Sequence, residues 1–464
     1  MKINEHAADP SNCSLDEVLR EQLGIVEGVD AELKNGNETK TIKEWISFGG
    51  KSEDFGKKGE NDFKSSRAFN HFHDPLENWD NAGFDKWVNF FYYGNYGRSP
   101  VSAILWGMNP GQQDFEENKP KTGDWSWGKA REYYYQALTD HTEGERNEDF
   151  ADCFRALGQV LHLLQDVSVP LHTRNDLHIF PLTKDPFTHE EYDAPVGRWT
   201  YETFTKEYLK ELLQDGQTFV AHHPNPILLS DPQPESNYSH LAPITGLFDR
   251  NQYNEGDPIP LNNNLIGLAE YSNSEFVTQD TMWEYQHPSK NDTSYTQIDW
   301  LNPEWVIARD GETEGRIYIR KTVGEFIQHF VRVDYWTREC EGYGEVPHEF
   351  SLDDQCWKDY AAKLIPRAVG YSAGLLDYFF RGKMGLNSLP ILLDEGTDTS
   401  LYFLRLKIKN MTESEETMSD GTYNLIFRYR DGDEEKTVQA VDVSSGELQY
   451  GDETEIDFEF PFWP

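Results

Sequence analysis

The sequence predicts a mostly α-helical domain over residues 1–384 followed by a small β-sandwich-like domain over residues 398–464. Three observations carry this. Apolar residues recur at helical spacing through most of the first 385 positions, the period switches to two beyond Gly382, and residues 383–399, with Gly385, Pro390 and Gly396, read as a linker. With 464 residues and 14% aromatic side chains, the chain has material for more than one core.

Each element has its own signal. Ser14-Leu-Asp-Glu17 reads as a capping box opening a helix through Val18, Leu19 and Leu23, with Gly24 placed to end it. A helical run from Ile42 and Trp45 is expected to stop at Gly49-Gly-Lys-Ser-Glu-Asp54. A further helix is expected from about Asp124 through Ala130, Tyr133, Tyr134 and Leu138. Another runs from about Asp149 to Asp166, where Phe154, Leu157, Val160, Leu161 and Leu164 make a broad apolar face. Long Pro-, Asn- and Asp-rich loops such as 222–264 interrupt the pattern, and a late helix from about Trp357 to Arg381 is expected to bend at Pro366. In the tail, Leu404-Arg-Leu-Lys-Ile-Lys409 alternates strictly. Tyr423, Leu425, Phe427 and Tyr429 keep the same spacing, as do Ile456, Phe458 and Phe460.

Charge and cysteines limit the function. Against 82 Asp+Glu stand 42 Lys+Arg, a formal charge of −40 that repels phosphate backbones and anionic lipid at long range. No basic nucleic-acid-binding patch is evident, and no apolar stretch approaches the ~18 residues of a transmembrane segment. Cys13, Cys153, Cys340 and Cys356 form no C-x-x-C pair. A Cys340–Cys356 bridge and four free thiols both remain open. Met1 runs directly into polar residues, so the expectation is a secreted or cell-surface protein whose leader is absent from this chain, with a cytoplasmic protein as the alternative.

The chemistry concentrates in Leu157-Gly-Gln-Val-Leu-His-Leu-Leu-Gln-Asp-Val-Ser-Val-Pro-Leu-His172. His162 and Asp166 are four apart, so on a helix both leave one face and can close on one ion. Pro170 cannot continue that helix, and the turn it enforces can return His172 to the same place. In Thr188-His-Glu-Glu-Tyr-Asp193 the device recurs, with His189 and Asp193 four apart. Imidazole nitrogen and carboxylate oxygen together suit zinc. Upstream lie Asp54, after the Gly-Gly pair, and His71 within Arg67-Ala-Phe-Asn-His-Phe-His-Asp-Pro75.

Taken in order, Gly-Gly-x-x-Glu-Asp54, Asn-His71-Phe-x-Asp-Pro, Leu-His162-x-x-x-Asp166-x-x-x-Pro-x-His172 and His189-x-x-Tyr-Asp193 resemble the zinc-dependent phospholipase C family. That family shares its helical fold with the single-strand nucleases. The resemblance extends to Trp125-Ser-Trp-Gly-Lys-Ala-Arg-Glu-Tyr and Leu-Ala-Glu-Tyr-Ser-Asn273, and covers roughly residues 1–382 with insertions at about 195–345. It implies that Asp54, His71, His162 and Asp166 hold one zinc and that His172, His189 and Asp193 hold a second. The family's third zinc uses an N-terminal Trp and a nearby His. No Trp precedes the first helix here, and His6 is the nearest substitute. The implied activity is zinc-dependent phosphodiester hydrolysis, expected on phospholipid headgroups. Asp54 would orient or deprotonate the attacking water, and Glu53 would do so if the register slips by one. The alternatives are a single-strand nuclease-type phosphodiesterase and a non-catalytic surface-binding protein with a decayed site. The β module could bind lipid, calcium or carbohydrate; its acidic runs at 412–416 and 431–435 lack an EF-hand spacing and read as solvated turns.

Overall fold

The structure, a computed structural model, describes residues 15–55, 67–84, 99–113, 123–176, 201–214, 220–225, 229, 238, 241, 243–250, 266–278, 305–307, 315–322, 324–333, 350–388, 392–393, 402–412, 416–419, 421–432 and 434–460. Its helices are α1 (Leu15–Glu21), α2 (Ile42–Phe55), α3 (Ala103–Met108), α4 (Trp127–Thr139), α5 (Glu143–Asp166), α6 (Pro170–Thr173), α7 (Tyr201–Gln214), α8 (Leu268–Glu275) and α9 (Asp354–Phe379). Among the described residues none is long and apolar enough to cross a membrane.

Local chemistry explains several helix ends. Gly24 closes α1 in the left-handed region, at φ 67°. The Thr41 amide donates to Glu44 Oε2 at 2.8 Å while the Glu44 amide donates back to Thr41 Oγ1, a capping box that opens α2. Thr142 and Glu145 repeat this at α5, so that helix starts six residues before the expected Asp149. The Gly49-Gly50 pair does not stop α2. It lies inside the helix, where a Cβ on Gly50 stands 3.5 Å from the Gly158 carbonyl oxygen of α5, so glycine lets the two backbones approach.

The expectation of a mostly α-helical protein is corrected by the strands. Helix accounts for 46% and strand for 22% of the described structure, with five small antiparallel sheets among the described residues. One sheet lies inside the region expected to be helix and loop. Strands Trp305–Ile307, Ile317–Lys321, Ile327–Val333 and Phe350–Ser351 pair antiparallel in that order. The reason is legible afterwards: Ile317-Tyr-Ile and Ile327-Gln-His-Phe-Val-Arg-Val are β-branched and aromatic runs too short to bury a helical stripe.

The chain forms two compact units. One holds the described residues of Gly49–Gly128 and Gly158–Leu375. Its core gathers Ile319, Ile327, Phe330 and Val331 from the four-stranded sheet, Tyr271 and Phe276 from α8 and the residue after it, and Tyr360 and Leu364 from α9. The other unit holds the described residues of Ala7–Phe48, Lys129–Leu157 and Leu376–Pro464. There Met384–Ser388, expected as linker, is a strand paired with Tyr402–Asn410, which pairs on its other side with Glu453–Phe460. The alternation seen in sequence sorts the faces. Leu406, Ile408, Ile456 and Phe458 enter a core, while Arg405 pairs with Asp457 at 2.7 Å and Lys407 with Glu453 on the outer face. Arg146 pairs with Glu435 at 2.6 Å, and Tyr134 and Phe154 pack on Phe380. Cys153 and Cys356 are buried free thiols; Cys13 and Cys340 lie outside the described residues.

In the first unit Lys321 and Glu275 form an ion pair with both side chains fully buried. Removing one partner leaves the other charge uncompensated in a dry site. Lys321→Met is therefore expected to destabilise the protein by about 3–5 kcal/mol, and Lys321→Met with Glu275→Leu to recover part of that loss, as read from urea denaturation midpoints.

Candidate metal centre

Three segments of the first unit converge on one carboxylate. The last turn of α5 presents His162 and Asp166 from the same face, as their four-residue spacing requires. The chain turns through Val167–Val169, and Pro170 opens α6 at its first position, where a missing N–H costs nothing. One turn later His172 faces back, its Nδ1 3.6 Å from Asp166 Oδ2. His71 follows the short helix Arg67–Asn70 on an extended segment and places Nδ1 2.7 Å from the same oxygen, while His162 Nε2 is 3.1 Å away. The donor atoms of His71, His162 and Asp166 all lie within 4.8 Å of one another.

Backbone contacts lock this arrangement. The His73 amide donates to the His172 carbonyl at 3.0 Å, and His172 Nδ1 lies 3.2 Å from the His71 carbonyl. Phe72 stacks on the His172 ring at 4.9 Å. From α8, Ser272 Oγ donates to the Ser168 carbonyl and Asn273 Nδ2 to that of Thr173, while Arg174 Nε returns a bond to the Phe276 carbonyl. The turn that aims His172 is thus clamped by the segment Leu-Ala-Glu-Tyr-Ser-Asn273. His73 is itself buried, with Nε2 3.0 Å from Asp249 Oδ2, which also accepts the Trp79 indole N–H at 2.7 Å.

The residues expected at the site separate into three groups. His71, His162, Asp166 and His172 are together. Asp54 lies in the last turn of α2, but its side chain is outside the described residues, as are all of His189 and Asp193. Three residues the sequence did not single out for this site contribute to it. Glu202, in the first turn of α7, places Oε1 3.0 Å from His172 Nε2. Arg67 and Trp106 hold Glu53, the neighbour of Asp54: Arg67 Nη2 donates to Glu53 Oε2 at 2.6 Å and the Trp106 indole N–H to Oε1 at 2.7 Å. Arg67 carried a signal that was passed over, a strong cation four residues before His71 in an aromatic segment. Glu202 carried none, because nothing in its local spacing marks it.

Charge in this pocket is set by burial opposed by neighbours. Burial alone raises the Asp166 carboxyl, yet the surrounding His162 and His172 charges and its contacts with His162 and His71 hold it well below the usual carboxylate range. Burial likewise disfavours the charged His71 ring, but Asp166 and Glu53 on either side push it up to about 9. Burial raises Glu53, and Arg67 followed by His71 brings it down to about 2. His162 is 18% and Glu202 40% exposed, so the cluster reaches solvent on their side.

Three imidazoles around one carboxylate exceed what a single buried anion needs. Nitrogen and oxygen donors this close match the ligand chemistry of zinc, so the donor set fits such an ion. Comparison of the chain with known protein families, with curated proteins and with solved structures gives no match. The site's chemistry therefore carries the functional argument.

With no ion bound, the stability His71 contributes is complete below its ordinary value of 6.5 and is lost as pH rises through about 9. Glu53 acts at the other end: its contribution is complete above 4.5 and lost as pH falls through about 2. Urea denaturation in chelator between pH 6 and 10 is expected to show stability falling on the alkaline side, and His71→Gln to shrink that fall.

Proposed function

We propose that this chain is a zinc-dependent phosphodiester hydrolase acting on phospholipid headgroups. The observation that supports it most is the convergence of His71 and His162 on Asp166, a donor set of one buried and two partly exposed residues. The order of motifs that resembles the zinc-dependent phospholipase C family points the same way. His71, His162 and Asp166 are the proposed holders of one zinc. His172 is the proposed centre of a second, with Glu202 added to the donors and with His189 and Asp193 retained from the sequence. A third zinc is left out of the proposal.

Bound zinc supplies Lewis-acid stabilisation of phosphate oxygens and a water acidic enough to act near neutral pH. The chain's own residues do the rest. Asp166 stays ionised at the centre of the cluster and holds the imidazoles in one place. Glu53 is occupied by Arg67 and Trp106, which removes it as the alternative base and leaves Asp54 as the proposed group that orients the attacking water and takes its proton. Glu202, beside His172 at the exposed edge, serves in this reading as a carboxylate donor to the second zinc. Positive charge gathered at a local site answers the difficulty of drawing phosphate to a surface of net charge −40.

His162→Ala and Asp166→Ala are each expected to lower zinc content, by elemental mass spectrometry, and hydrolysis of a chromogenic phosphocholine diester together, the latter by more than about 100-fold. Full activity of metal-depleted Asp166→Ala protein sinks the reading. Hydrolysis of single-stranded DNA in preference to the choline diester would place the activity with the nuclease-type alternative. Because His71 must give up its Nδ1 proton to become a ligand, apparent zinc affinity is expected to rise up to about tenfold per pH unit between pH 7 and 9. Competition titration with a chromophoric chelator measures it.

A further inference from the structure

We propose that Glu53 is an outer carboxylate that aims His71 at the metal centre through its Nδ1, with Arg67 and Trp106 holding Glu53 in place. The inference rests on the zinc reading above and assigns to Glu53 a positioning role instead of a ligand's or a base's. The two ring nitrogens of His71 face opposite ways. Nδ1 is 2.7 Å from Asp166 Oδ2, on the side of His162, whereas Nε2 is 3.6 Å from Glu53 Oε1. An imidazole that ligates through one nitrogen commonly donates its other N–H to a carboxylate, which fixes both tautomer and ring plane. Closing the outer contact by about half an ångström makes it a hydrogen bond.

Glu53 cannot swing round to join the donors. Its side chain is fully buried, Oε2 accepts from Arg67, and Oε1 accepts the Trp106 indole N–H. Arg67 is held in turn. Its Nη2 also donates to Gln159 Oε1 and Gln113 Oε1, each at 2.8 Å, and its guanidinium lies 5.0 Å from the centre of the Trp106 ring. Gln159 stands three residues before His162 on α5, so one guanidinium ties the carboxylate behind His71 to the helix that carries two of the ligands. Gln113 closes the loop, donating to the Trp106 carbonyl and accepting the Trp125 amide, both at 2.9 Å. This network gives the Trp125-Ser-Trp segment a role at the centre through its backbone.

The test is a long-range proton–nitrogen correlation spectrum of the full chain, labelled with 15N in histidine and loaded with zinc, with His71 assigned by its absence from His71→Gln. The expected result is a His71 ring with Nδ1 coordinated and Nε2 protonated. Coordination through Nε2, or a His71 ring unaffected by zinc while His162 shifts, overturns the proposal and leaves the zinc reading standing. No shift in any histidine overturns the zinc reading itself, and this inference with it. Alongside, Glu53→Gln is expected to weaken zinc about 10–100-fold, with circular dichroism unchanged. Unchanged affinity in a folded variant counts against the proposal, and the wild-type spectrum decides if the variant does not fold.

Discussion

An ionised carboxylate withdrawn from water must be answered by positive charge, and the candidate centre is organised around that demand at Asp166. Three imidazoles reach it from three segments of the chain, and contacts that do not involve Asp166 support two of them: Phe72 stacks on His172, and α8 clamps the turn at 167–176, while Glu53 flanks the far side of His71. Were the carboxylate replaced by an apolar group, the imidazoles would have no reason to crowd one another. The arrangement of the imidazoles thus depends on the charge of Asp166 as well as on the packing around it.

The same demand is met at two other buried carboxylates of that unit. Glu53 is matched by Arg67, and Glu275 by Lys321. In each case the partners come from different elements, so the pair also records which elements must meet. Arg67, in the short helix before His71, links α2 to α5. Glu275 links α8 to the four-stranded sheet. Because α8 clamps the turn carrying His172, the ion pair between α8 and the sheet connects by packing to the aim of His172. Buried pairs of this kind add little net stability over apolar replacements, but they penalise misassembly strongly.

The outer face of the C-terminal sheet uses charge differently. Arg405 with Asp457 and Lys407 with Glu453 are exposed pairs on solvated strands, where solvent screening leaves each little to contribute to stability. Their value lies in register, since a slip of one residue would turn Ile408 and Phe458 outward and the charges inward.

Spacing by itself determined that His162 and Asp166 share a face, that Pro170 breaks the helix and returns His172, that Gly24 ends α1, and that the tail is strand. Each follows from a local rule about periodicity or backbone freedom. Local rules also misled. Gly49-Gly50 read as a stop, although within α2 it serves the approach to α5, and short β-branched runs at 317–333 passed for loop because strands reveal themselves through partners distant in sequence. Tertiary structure alone decided that Glu53 is bound to Arg67, that Glu202 meets His172, and that Ser272 and Asn273 hold the turn. These are contacts between residues about 14 to 104 positions apart. A sequence records which groups a chain carries and which face of an element they take. Which of them meet is settled by how the elements pack, and that is where a site's electrostatics come from.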